Sequence, residues 1–155
     1  MNWQQAIANP FLKNLPFKVE LNKFGQVLMS PVGNIHGIIK GEVSYSVRQR
    51  MKKGTAIMEC AIKTSDGVKV ADVAWASEEF MLVHGKESPF KAAPELCVEI
   101  FSPGNSKKEI EYKTELYFAQ GALEVWIVTD KRKLTFHGPE GGMKASRLIP
   151  GIKYP

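Results

Sequence analysis

The segment from Leu96 to Thr129 constrains the fold more than any other part of the chain. Leu96 to Phe101 is a short apolar run interrupted by one acid, Glu99, the pattern of a buried central strand. Ser106 followed three residues later by Glu109 forms a capping box, and Gly121 supplies a helix stop, so residues 107–120 are expected to be helical. Leu123 to Thr129 then reads as a second strand. Strand, helix and strand joined this tightly make a βαβ unit, which places the two strands side by side and parallel.

The rest of the chain adds a second half of the same kind. Residues 18–21 and 26–29 flank Asn22-Lys23-Phe24-Gly25 as a hairpin entry. Asn34 is placed to cap a helix over 35–53, whose Ile35, Ile38, Ile39, Val43 and Val47 recur at helical spacing, with Gly54 as its stop. Strands over 56–63 and 69–75 are joined through Asp66-Gly67, a strong hairpin signal. Strict alternation in the second would put Val70, Asp72 and Ala74 on one face and Ala71, Val73 and Trp75 on the other. A short helix over 77–83, a strand over 134–137 and a strand over 146–149 complete the reading. The expected class is α/β, a mixed central sheet flanked by helices, with residues 1–155 forming one domain whose core spans about 17–150.

Composition enters as a filter. With 155 residues, 44% hydrophobic and 24% charged, the chain suits one ordinary core and excludes disordered and disulfide-scaffold classes. Cys60 and Cys97 lie within apolar runs and read as buried thiols, and His36, His84 and His137 lack the paired spacing of zinc ligands. The net charge of +5 fits a polyanionic partner without identifying one. No apolar run approaches the roughly 18 residues of a membrane span, and the first residues carry no basic-then-apolar leader, so a cytoplasmic protein is expected.

Three residues stand where their chemistry needs a reason. Asp72 and Glu99 are acids inside mostly apolar strands, and an ionised carboxylate there is costly unless paired or bound to a metal. On a helical projection Lys113 falls between Leu116 and Tyr117, so its stem points towards the sheet. Lys113 lies about 9 Å down its helix, at ~1.5 Å per residue, and Glu99 about 7 Å back from its strand end, at ~3.3 Å per residue. The helix returns antiparallel to the strand, so the two side chains come level. Two acids and a lysine about one point are the set that metal-assisted phosphodiester hydrolysis needs: carboxylates to hold Mg²⁺, and a cation to orient water or offset developing charge. The ordinary alternatives are a solvent-facing or paired acid, a snorkelling lysine, or a structural ion-pair cluster.

Several segments, in order, carry a family resemblance. They are Phe17 to Asn22 continuing through Gly25 to Met29-Ser30-Pro31; His36-Gly37; Ala71-Asp72-Val73-Ala74-Trp75; Pro94 to Pro103; Lys113 with Leu116-Tyr117; and Gly121 to Val128. Together they resemble the Uma-two-type restriction endonuclease family of the PD-(D/E)XK nuclease superfamily, over about 17–150. The resemblance implies a restriction-endonuclease-like core, a Mg²⁺-dependent endonuclease activity with Mn²⁺ as an alternative ion, and DNA as substrate. It makes Asp72 and Glu99 the metal-binding strand acids, Lys113 the helix-borne lysine and Glu20 an upstream acid that completes the site. The superfamily's usual lysine stands two residues after the strand acid. Phe101 occupies that position here, so the charge must come from Lys113.

If the site is single, the two carboxylates should lie within about 5 Å of a shared point. Glu42 is a lesser candidate acid, Glu95 lies at the beginning of its strand, and Glu78, Glu79 and Glu87 read as solvated charges. His36 is expected to face water or the fold from a first helical turn. Of the basic groups, Lys107 and Lys108 open a helix whose amino-terminal amides also favour a phosphate. No DNA-reading motif such as a helix-turn-helix is visible. A duplex cut needs two sites, which is compatible with a homodimer. The alternative function is a non-catalytic nucleic-acid-binding or regulatory protein on the same fold.

Overall fold

A computed structural model describes residues 1–155. The elements in order are α1 (Trp3–Ala8), β1 (Phe17–Leu21), β2 (Val27–Pro31), α2 (Asn34–Arg50), β3 (Thr55–Thr64), β4 (Gly67–Ala76), α3 (Glu78–His84), β5 (Leu96–Phe101), α4 (Lys107–Ala119), β6 (Glu124–Thr129), β7 (Leu134–Gly138) and β8 (Gly141–Met143). All eight strands join one sheet in the order β2-β1-β4-β5-β6-β7-β8, with β3 also paired to β4. Only β5 and β6 run parallel, as their short helical crossover requires.

The βαβ unit forms within a residue or so of the expected bounds because its signals are local. Ser106 Oγ accepts from the Glu109 amide at 3.1 Å, and the Glu109 carboxylate accepts from the Ser106 amide at 2.8 Å. Along β5, Leu96, Val98 and Ile100 pack with Ile39, Val43 and Val47 of α2, whereas Cys97 packs with Tyr117 of α4. The two long helices therefore cover opposite faces of the sheet, and Glu99 shares the α4 face with Cys97 by the strand's two-residue period.

Four expectations need correction. Helix α2 begins at Asn34 and ends at Arg50, with Gly33 as a cap lacking any side-chain bond. Gly54 serves the turn into β3 instead of stopping the helix: its φ is +78°, and a Cβ there would meet the Ala76 carbonyl and the Trp75 ring. Residues 146–149 form no strand. Helix α1 and strand β8 lie outside the expected elements, although Asn2 and Gln5 form a capping box for α1.

The fourth correction bears on the site. Ala71 and Ala74 both join the α4-side core while Val73 joins the other, so β4 does not alternate strictly through Asp72. On β3, Ile57 and Cys60 likewise share the α4-side core although they are three residues apart. Between them Glu59 has φ +56°, a left-handed conformation uncommon for residues other than glycine, and Glu59 is ion-paired with Lys40 of α2. The pleat thus slips beside Asp72.

Residues 146–149 are held by one buried carboxylate. Glu124 accepts from Trp126 Nε1 at 2.9 Å, Ser146 Oγ at 2.7 Å and the amides of Arg147 and Leu148 at 2.6 and 2.9 Å. Burial opposes ionisation, but these four donors win and hold the carboxyl below its ordinary pKa. Glu124→Ala strands the four donors and should cost about 2–4 kcal/mol, lowering Tm by roughly 5–15 °C. Because the folded pKa is depressed, this contribution is complete above the unfolded carboxyl pKa and is lost as pH falls through the folded value. Thermal unfolding from pH 7 to 3 should therefore show wild type and Glu124→Gln converging below about pH 4.

Candidate active site

The site lies where β4 exchanges one neighbour for another along the same edge. Strand β3 pairs β4 along one edge from Gly67 to Ala76. On the other edge β1 pairs at Val68 and β5 only at Val73 to Trp75. Between these contacts the strands fork, and backbone groups that a sheet would have paired must find other partners. Glu20 Oε1 accepts from the Val70 amide at 2.7 Å, Asp72 Oδ2 accepts from the Ile100 amide at 2.7 Å, and Lys113 Nζ donates to the Val70 carbonyl at 3.4 Å. The fork is thus closed by side chains carrying charge.

Those side chains form a chain of alternating sign. Lys113 Nζ lies 2.8 Å from Glu20 Oε1 and 2.8 Å from Glu99 Oε1. Lys18 Nζ lies 2.9 Å from Asp72 Oδ1 and 3.5 Å from Glu99 Oε2. Tyr117 OH donates to Glu99 Oε1 at 2.6 Å. His36 Nε2 is 3.1 Å from Asp72 Oδ1, and its Nδ1 is 3.1 Å from Ser102 Oγ.

The side chains of Asp72, Glu99 and Lys18 are only 1%, 3% and 8% exposed, so little water screens these charges. Burial disfavours the Asp72 carboxylate, yet Lys18, His36 and the Ile100 amide hold its pKa below the usual range. Glu20 is likewise held below its ordinary value, by Lys113 and Lys18 against the cost of burial. Glu99 goes the other way: burial dominates, and its carboxyl is raised despite Lys113 and Lys18. Lys18 is raised above the ordinary lysine value, because Glu99, Asp72 and Glu20 outweigh the desolvation of its ammonium. Three carboxyl groups thus face two ammonium groups, with the His36 ring beside Asp72.

All four residues singled out in the sequence, Asp72, Glu99, Lys113 and Glu20, meet in this cluster, and Lys113 reaches Glu99 from the helix as the spacing requires. The shared point between Asp72 and Glu99 exists, and the Lys18 ammonium stands on it. No three Asp, Glu, His or Cys side chains are grouped to hold a metal ion. Of the two orientations expected of His36, it takes the inward one: it is buried and bridges Asp72 to Ser102, just past the end of β5. Once Glu20 is placed in the site, Lys18 follows, since it precedes Glu20 by two and shares its strand face. Tyr117, one helical turn beyond Lys113, was legible as well.

Other candidates lie elsewhere. Glu42 accepts from Tyr154 OH and pairs with Arg132 at 3.6 Å, and Glu95 accepts from Ser77 at the start of α3. Glu87 pairs with His84 at 2.9 Å. Cys60 and Cys97 are free and buried, and burial pushes the Cys60 thiol up to about 12 and Cys97 well above its ordinary value. No helix is long and apolar enough to cross a membrane.

A cleft of about 510 Å³ opens onto the cluster. Its walls include β2 residues, the loop from Ser102 to Asn105, and Glu109 and Tyr112 at the start of α4. Carboxylates, ammonium groups and a histidine therefore share one solvent-connected hollow, the arrangement that acid–base or cation-assisted chemistry on a bound ligand needs.

Similarity to known proteins agrees with this architecture. Among solved structures, the chain resembles one described as a "putative nuclease belonging to DUF820 from Anabaena variabilis ATCC 29413". The match has a TM-score of 0.66 and 18% identity over 79% of this chain and 72% of that one, and at this identity it speaks for the fold alone. No curated protein matches the chain. The profile of the Uma2 family, described as "Putative restriction endonuclease", matches residues 6–149. That span takes in every residue of the cluster, and the chain belongs to the Uma2 family, with a restriction-endonuclease-like mixed sheet flanked by helices.

Proposed function

We propose that the protein is a Mg²⁺-dependent endonuclease that hydrolyses phosphodiester bonds in DNA, with the Asp72–Glu99 fork as its centre. The observation that carries this reading is the convergence of two buried carboxylates from adjacent strands on one cationic atom, at 2.9 and 3.5 Å, beside a cleft. Two hard oxygen donors converging on one point suit Mg²⁺ or Mn²⁺. Asp72 and Glu99 would hold the ion, which when bound polarises a phosphate and acidifies water.

The chain's own residues supply the remainder. The Ile100 amide and His36 fix the Asp72 carboxylate, and Tyr117 fixes Glu99. Lys113 is anchored by Glu20, Glu99 and the Val70 carbonyl, so its ammonium is preorganised to orient water or offset charge developing on the phosphate. Glu20 positions that lysine as well as adding an acid at the edge of the site. Membership of the nuclease family supports DNA as the substrate. Cutting both strands of a duplex would use two such centres, and hence a second copy of the chain.

Supercoiled plasmid tests the reading. Wild type should convert it to nicked circles with Mg²⁺ or Mn²⁺ and stop in EDTA, while Asp72→Ala and Lys113→Ala leave it intact. Equal residual cutting by wild type and both variants would assign the activity to a contaminant and end the proposal.

A further inference from the structure

Two lysines serve the cluster, and their surroundings differ. Lys113 Nζ has three partners: Glu20 and Glu99 at 2.8 Å and the Val70 carbonyl at 3.4 Å. Lys18 Nζ meets only Asp72 Oδ1 and Glu99 Oε2, the carboxylates a divalent ion would need. An ammonium and a dication drawn to the same pair of oxygens repel one another and compete for the site. Lys18 also lines the 510 Å³ cleft, and its flexible four-carbon stem gives the ammonium a path outwards.

We propose that Lys18 is the resident counter-cation of the metal position: its ammonium holds Asp72 and Glu99 together in the metal-free protein and swings into the cleft when a divalent ion binds. Lys18 thereby sets the ion affinity of the site. The inference rests on the nuclease reading above and deepens it. Without Lys18, two buried carboxylates from different strands would face each other across the fork, a repulsion that favours either protonation or separation of the strands. With Lys18 in place the oxygens are preorganised, at the expense of affinity: an ion can bind only the fraction of molecules whose ammonium has left. If that fraction is about 10% or less, apparent affinity is reduced about tenfold or more.

Titration calorimetry of Mn²⁺ into wild type and Lys18→Met is the first test. The variant, which keeps the apolar stem, should bind about tenfold or more tightly than wild type. It should also unfold at a lower temperature than wild type in EDTA and gain more from saturating Mn²⁺. Equal or weaker Mn²⁺ binding by Lys18→Met, with wild type binding normally, would overturn the role of Lys18 alone. Absence of Mn²⁺ binding by both proteins would overturn the metal-dependent reading, and this inference with it. A measurement on wild type needs no variant to fold: reductive methylation followed by peptide mass spectrometry. Lys18 should be protected in EDTA and modified in saturating Mg²⁺, and protection unchanged by Mg²⁺ would contradict displacement.

Discussion

Asp72→Asn is expected to slow Mg²⁺-dependent plasmid nicking about a thousandfold or more, while the purified protein remains folded. The substitution keeps the shape of the side chain, so an amide oxygen can still accept from the Ile100 amide that Asp72 now caps at 2.7 Å. What it removes is one of the two negative oxygen donors that converge on the Lys18 position. Loss of cation-assisted charge stabilisation amounts to several kcal/mol, and each ~1.4 kcal/mol is tenfold in rate. The variant also leaves Lys18 with Glu99 alone, a weakened buried pair that should appear as a lower Tm. Nicking within tenfold of wild type would place the reacting phosphate elsewhere.

Lys113→Ala should show the second large effect, a fall of about a hundred- to a thousandfold in the rate of nicking. It removes the cation that joins Glu20 to Glu99, so both carboxylates lose a partner at 2.8 Å and the Val70 carbonyl loses its donor. Breaking a buried pair from one side costs up to about 3–5 kcal/mol, so stability must be measured beside activity. Lys113→Arg separates the two consequences. A guanidinium keeps the charge and can restore much of the stability, but its fork is longer and planar, so the point charge beside the phosphate is misplaced. Recovery of Tm without recovery of single-turnover rate is the expected signature, with DNA binding within a few-fold of wild type in both variants. Full activity in Lys113→Ala would restrict this lysine to structure.

Local signals and long-range contacts explain which parts of this arrangement the sequence reveals. Helix α4 and the strands around it follow from a capping box, a terminal glycine and two apolar runs within thirty-odd residues, and the level placement of Lys113 and Glu99 follows from their rises per residue. The position of Lys18 depends on β1 meeting β4 at the single pair Leu21–Val68, a contact 47 positions apart in the chain that no local pattern encodes. His36 is similar: its place in the first turn of α2 is readable, but its burial comes from that helix turn meeting Asp72 and Ser102 across the sheet. Alternation failed at Asp72 because Glu59, on the neighbouring strand, adopts a left-handed conformation that slips the pleat. The segment 146–149 forms no strand because the amides of Arg147 and Leu148 are taken by Glu124 and that of Ile149 by Ser146 Oγ.

If Asp72 and Glu99 form a divalent-cation site, the Lys18 ammonium stands on the position of the ion. Crystals grown without metal and soaked in Mn²⁺, measured at the manganese absorption edge, test it most directly. One anomalous peak is expected within about 2.1 Å of both an Asp72 and a Glu99 oxygen, with the Lys18 side chain turned into the cleft. A map with no peak there, and Lys18 still bridging the two carboxylates at saturating Mn²⁺, would contradict it and leave the cluster a structural network of ion pairs.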